Sequence, residues 1–177
     1  MEILALLFFL VIGISFLCSI LESILLSINA PYISVLEKKS PKAGKLLKHL
    51  KTNIDKSIAS ILILNTVANT LGATAIGVQA QQVFQSDSNF VLLVSIILTL
   101  LILFVAEIIP KTIGAIYWKQ LAPTAGILIR FFIIITYPLI IITQFVTRKI
   151  SNSKADSDSI TREELIHSTL ISEEEGV

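Results

Sequence analysis

The sequence predicts an all-α integral membrane protein: three transmembrane helices, a juxtamembrane re-entrant or belt helix pair, and then a short acidic helical segment in the cytoplasm. Three observations predict it. The 177 residues are 54% hydrophobic, with a mean hydropathy of +0.82. Only 15% are charged, against roughly a quarter in a soluble domain, too little to cover the apolar surface of a chain this size. Three stretches of about 20 residues also lack charge altogether, the length that crosses a bilayer core. The net charge of +1 carries no information about partners, because its distribution matters more than its sum.

The first helix is expected over about residues 3–30. Ile3 to Leu21 carries no charge, and the apolar character resumes after Glu22. Glu2 stands where a signal peptide would have its positive region, and the apolar run exceeds the roughly 7–15 residues of a signal core. The N-terminus therefore reads as a retained span. Between Pro31 and Lys56 lie Lys38, Lys39, Lys42, Lys45, Lys48, Lys51 and Lys56, seven of the 14 basic residues. This run reads as a solvated helical face or a patch against anionic headgroups.

The second helix is expected over about 57–80 and the third over about 89–110. The connection around Gln79 to Asn89 has no basic residue. The positive-inside rule then puts the lysine loop in the cytoplasm and the N-terminus outside. Phe131 to Thr147 is apolar too, yet basic residues flank both its ends and Pro138 divides it. Proline breaks the helical ladder, so the region 121–150 is expected to be a re-entrant or belt pair within a transmembrane domain of residues 1–150. Residues 151–159 read as a polar linker. Residues 160–177 read as a cytoplasmic helical segment, with Thr161 and Glu164 forming a capping box. The chain stops inside that segment, so a longer natural chain is expected. No repeat and no nucleic-acid signature is present.

Polar groups within the spans are the informative ones, because an ionisable side chain at mid-bilayer costs roughly 2.5–3.5 kcal/mol on insertion scales. Glu22 and Glu107 are the acids there. Ser19, Ser23 and Ser27 form a stripe on helix one, with Glu22 beside it. Asn65 and Asn69 share a face of helix two. Helix three ends in Glu107, Pro110 and Lys111. Counted from the helix ends, these oxygens fall at one depth. Hydroxyl, amide and single-carboxylate oxygens are hard ligands suited to Mg2+, Ca2+ or Na+. The bland alternatives are packing serines, asparagine glue between helices, a Glu107–Lys111 ion pair, and Glu22 as a structural acceptor. Cys18, the only cysteine, reads as packing. A nucleophilic enzyme is disfavoured, because the spans offer no base beside a serine and His49 and His167 lie outside them.

These residues in this order resemble the transmembrane domain of the CNNM/CorC family of magnesium transporters. The matching pieces are Ser19-x-x-Glu22-Ser23, Asn65-x-x-x-Asn69, Glu107-Ile-Ile-Pro110-Lys111 with Thr112, the lysine-rich loop, and the tail from Ile160 to Leu165 and on to Val177. Leu21 and Leu64 depart from the family's small residues. The resemblance implies a plasma-membrane homodimer that exports Mg2+, coupled to Na+, by alternating access. It implies Ser19, Ser23, Asn65 or Asn69, and Glu107 as ligands; Glu22, Pro110 and Lys111 are expected beside them as support or gating residues. It also implies nucleotide-binding CBS domains beyond this sequence. A Mg2+ sensor acting through the tail, without flux, is the competing expectation.

Overall fold

Pro31 ends the first helix. It has no N–H to offer the carbonyl one turn back. Asn29, with φ −115° and ψ 162°, accepts from the Tyr32 amide at 3.0 Å and starts a new helix. The computed structural model describes residues 2–83 and 88–151. Its elements are α1 (Glu2–Ser27), α2 (Ala30–Lys39), α3 (Pro41–Thr52), α4 (Ile54–Val83), α5 (Ser88–Leu101), a π-helical segment (Ile102–Ile108), and α6 (Ile109–Ser151). No strand occurs among the described residues. Three helical stretches are long and apolar enough to span a membrane: Glu2–Ser27, Ile54–Val83 and Asn89–Ile142.

Several boundaries differ from expectation. The first helix stops at Ser27 rather than residue 30, for the reason just given. The second runs from Ile54 to Val83, three residues longer at each end than expected. The break expected at Pro138, within the pair over 121–150, does not occur: α6 is two helices joined at a kink at Tyr117 (φ −100°, ψ 15°), and the second runs on through Pro123 and Pro138. Prolines are tolerated in apolar helices, and here Pro138 removes only the one amide that would bond the Ile134 carbonyl; two residues before it Thr136 donates to the Phe132 carbonyl at 2.8 Å, the usual back-bond of a helical hydroxyl. The third span likewise continues past residue 110 instead of ending there. At 54 residues that stretch far exceeds the ~20 a bilayer needs, so only part of it crosses. Of the linker expected at 151–159, Ser151 is helical; residues 152–177, including the expected capping box and acidic segment, lie outside the described residues.

Residues 1–140 form one compact unit, and a second begins at Ile141. Within the first unit, α1 is the central element, packed against α4 and against the π segment. The larger core gathers Cys18, Leu21, Ile24, Leu25 and Ile28 of the α1 region, Leu47 and Leu50 of α3, Ile61 of α4, and Ala122, Ala125 and Ile129 of α6. Cys18 is a buried packing residue there. A smaller cluster joins Val11, Ile76 and Leu98.

The α2–α3 hairpin closes the end of α1. Lys51 donates to the carbonyls of Leu25 and Leu26 at 3.2 and 3.3 Å, placing a cation on the last turn of the helix, where the macrodipole is negative. Gly44 lets α3 press on the Glu37 backbone, a space that a Cβ would fill. Tyr32 donates to the Lys119 carbonyl at 2.6 Å and packs edge-on against Trp118, with ring centroids 4.9 Å apart. Burial raises the Tyr32 phenol above its ordinary pKa, which keeps that donor protonated.

Candidate cation site

Two registers position the polar groups. Val11 packs against Gly72, where an added Cβ would collide with it, and α1 and α4 run antiparallel. Both helices rise about 1.5 Å per residue. Moving from Val11 towards Ser27 therefore meets α4 residues of falling number: Ser15 levels with Ala68, one residue from Asn69, and Ser19 with Leu64, one residue from Asn65. The second register is parallel. Ser23 donates to the Lys111 carbonyl at 2.6 Å. One turn back on each helix stand Ser19 and Glu107, so these two also share a level.

The expected site residues divide by partner. Ser19 is 1% exposed, and its hydroxyl has no hydrogen-bond partner. Asn69 donates from Nδ2 to the Asn65 Oδ1 at 3.5 Å, while its own Oδ1 is buried and unpartnered. Ser23 gives its proton to the Lys111 carbonyl, which leaves its oxygen lone pairs free. Ser27 donates to the Ser23 carbonyl at 2.8 Å, the packing role open to any membrane serine. Glu107 is half-buried in the π segment.

The expected alternative of a Glu107–Lys111 ion pair is corrected. Lys111 Nζ lies 3.2 Å from Glu22 Oε2, so Lys111 reaches across to α1 and leaves the Glu107 carboxylate without it. The Glu22 side chain is 19% exposed and that of Lys111 48%. The pair, the Ser23–Lys111 bond and Gly114 form a clasp between α1 and the head of α6. A Cβ on Gly114 would stand 2.8 Å from the Ile20 carbonyl oxygen.

The backbone around Glu107 is also unusual. The Ile109 amide donates to the Phe104 carbonyl, five residues back. Such π turns frequently mark functional positions in helices. Pro110, fully buried, follows directly and can offer no amide. The helix is thus irregular where the carboxylate projects.

Two features escaped the sequence reading. Ser15 is 0% exposed and unpartnered; its spacing of four from Ser19 extends the stripe and was the available signal. Gly114 carried no signal, since its role depends on which helix meets it. Among the described residues, no group of three or more His, Cys, Asp or Glu side chains gathers. A cation here would be held by hydroxyl and amide oxygens with one carboxylate, a hard and weakly charged set.

The profile of the CNNM family, described as the cyclin M transmembrane N-terminal domain, matches residues 6–177. The UPF0053 protein sll1254 of Synechocystis sp. is 31% identical over 154 residues, covering 87% of this chain and 44% of its own length. The UPF0053 inner membrane protein YfjD of Escherichia coli is 28% identical, covering 81% and 35%. The UPF0053 protein MG146 of Mycoplasma genitalium is 23% identical, covering 68% and 28%. The chain thus spans less than half the length of the curated relatives it matches.

Proposed function

Because this chain belongs to the CNNM transmembrane-domain family, whose members are membrane proteins linked to divalent-cation transport and not enzymes, we propose that it carries Mg2+ across the membrane. The observation that carries the reading is the buried, unpartnered Ser19 hydroxyl at the level of Glu107 and one residue from that of Asn65. A buried hydroxyl without a partner costs about 1–3 kcal/mol, and a bound cation offsets that cost. Ser19, Ser23, Asn65 and Glu107 are the direct ligands in this reading, with Glu107 the only charge. Asn69 orients Asn65 through its Nδ2 donor. One carboxylate among neutral oxygens both binds Mg2+ and lets it go.

The clasp of Glu22, Ser23 and Lys111 lies one turn to the lysine-rich side of the site. Opening it would expose the ion to that side, and the π turn with Pro110 supplies a helix end able to move without breaking regular bonds. Alternating access, export and coupling to Na+ belong to this proposal. So does the orientation, with the lysine-rich hairpin in the cytoplasm, and a location in the plasma membrane, in keeping with the inner-membrane description of the Escherichia coli relative. CBS domains are proposed for a longer chain.

Liposomes holding a Mg2+-sensitive dye test the reading. The wild type should pass Mg2+ faster when a Na+ gradient is imposed. Glu107→Gln and Ser19→Ala should each lower flux at least tenfold. Equal flux in all three would remove these residues from the path. Glu107-dependent Mg2+ binding without flux would favour the sensor.

A further inference from the structure

Between Ala30 and Lys56, seven lysines stand against two acids, Glu37 and Asp55. Two of those lysines line a crevice where the α2–α3 hairpin meets the end of α1. Ser34 and Glu37 of α2 contribute to it, as do Lys48, Lys51 and Thr52 of α3. Its volume is about 240 Å3, against the ~10–15 Å3 that a single water needs, so it admits a group of phosphate size. The lining is rich in donors. Lys48 stands 3.9 Å from Glu37, too far for a hydrogen bond, so its ammonium keeps its donors. Lys51 spends two N–H groups on the Leu25 and Leu26 carbonyls and keeps a third. Thr52 adds an exposed hydroxyl. Ser34 adds no donor, because its proton goes to the Ala30 carbonyl at 3.1 Å. Two ammoniums against the Glu37 carboxylate leave one positive charge, the complement of a single phosphodiester.

The crevice lies where hydrocarbon gives way to headgroups. α1 has 26 residues, about 39 Å at the helical rise, against a hydrocarbon core of ~30 Å, and Lys51 grips its final turn. Tyr32 and Trp118, packed edge-on beside the start of α2, are ring types that settle at the membrane–water boundary. Apolar side chains are exposed here too. Leu26, whose carbonyl Lys51 holds, is 53% exposed, and Val35, next to Ser34, is 54% exposed. Donors and surplus positive charge beside exposed apolar residues suit a molecule that is anionic at one end and apolar at the other.

We propose that the α2–α3 crevice binds the headgroup of an anionic phospholipid of the phosphatidylglycerol class. Lys48, the third donor of Lys51 and the Thr52 hydroxyl meet the phosphate oxygens, as charge-assisted bonds, and the acyl chains enter the bilayer past Leu26. The charge of the site selects the lipid. A zwitterionic lipid offers the same phosphate but carries its own ammonium beside it, which meets the lysines as a like charge. A lipid held there ties the hairpin that caps α1 to the membrane surface. The site is separate from the Ser19–Glu107 oxygens and does not rest on Mg2+ passage.

The test uses the purified full chain in detergent with EDTA, so that no divalent cation bridges phosphates. Melting is followed as phosphatidylglycerol or phosphatidylcholine is added to the micelles. The wild type should gain melting temperature saturably with phosphatidylglycerol and far less with phosphatidylcholine. Lys48→Gln should raise the phosphatidylglycerol midpoint about fivefold, the worth of one lysine facing an anionic headgroup, and Lys48→Arg should restore it. Without lipid, Lys48→Gln should melt like wild type, because the side chain is 65% exposed and its ion pair is long. Lys42→Gln removes the same charge from the same helix outside the crevice and should leave the midpoint unchanged. Equal shifts in Lys42→Gln and Lys48→Gln would reduce the effect to diffuse attraction, and an equal wild-type response to the two lipids would remove the headgroup from it; either result overturns the proposal. So would a Lys48-dependent gain of the same size from inorganic phosphate alone, since the ligand would then be a soluble anion.

Discussion

Gly114 is the residue on which the contact between α1 and α6 depends. Its missing Cβ leaves room for the Ile20 carbonyl and for Ser23, whose Cβ and Oγ would lie 2.9 and 3.2 Å from an added methyl. Neither neighbour can retreat freely: one is backbone, and the other is fixed by its bond to the Lys111 carbonyl. Gly114→Ala should cost about 1–3 kcal/mol by overpacking, read as a lower melting temperature in detergent. It should also reduce Mg2+ flux, because Ser23 and the Glu22–Lys111 pair would be pushed apart. A variant that melts and transports like wild type would show that this contact is loose. The serines illustrate how far residue types can be read unaided. Ser19, Ser23 and Ser27 look alike in sequence, yet one is unpartnered, one bonds across to another helix and one bonds back along its own.

At the scale of elements, the helix ends decide what is adjacent to what. The last turn of α1 has free carbonyls, and Lys51 of α3 satisfies two of them. The lysine run reads in sequence as a solvated or headgroup-facing surface, and for the exposed Lys42, Lys45 and Lys48 that fits. Lys51 instead works inward as a cap. Lys51→Met keeps the apolar stem and removes the donors, so melting should fall by about 1 kcal/mol in stability, while Lys51→Arg should hold near wild type. No loss in the Met variant would show that solvent caps α1 equally well. The long helix α6 makes a related point. Pro138 signals a break by its intrinsic chemistry, but a proline removes one donor only, and the helix runs on through it.

For the whole molecule, the surface of α4 is informative. Thr66, Thr70 and Thr74 are exposed on one face of a membrane-spanning helix, with Ala73 beside them. Small residues four apart allow close approach of a second helix, and we propose this face as the meeting surface of the homodimer that the family resemblance implies. Cys18, the only cysteine, is buried in the apolar core. In a Cys18→Ala background, Thr70→Cys should cross-link between chains in the membrane, and Lys45→Cys should react with an impermeant thiol reagent only from the cytoplasmic side. Monomeric Thr70→Cys protein would place the dimer elsewhere, and outside labelling at Lys45 would invert the topology.

The number of spans and their apolar character were legible in the sequence, as were the oxygen-bearing residues proposed here as a cation site, because hydropathy and residue type are local properties. Even the common depth of Ser19, Asn65 and Glu107 followed from counting residues at a fixed helical rise. What the tertiary structure decided was partnership. That Lys111 pairs with Glu22 rather than Glu107, that Gly114 seats against Ile20, and that Ser15 joins the unpartnered oxygens all depend on which face of one helix meets which face of another. Sequence fixes spacing along a helix, but the rotation of each helix about its axis is set by the packing of every neighbour at once, and no single segment encodes it.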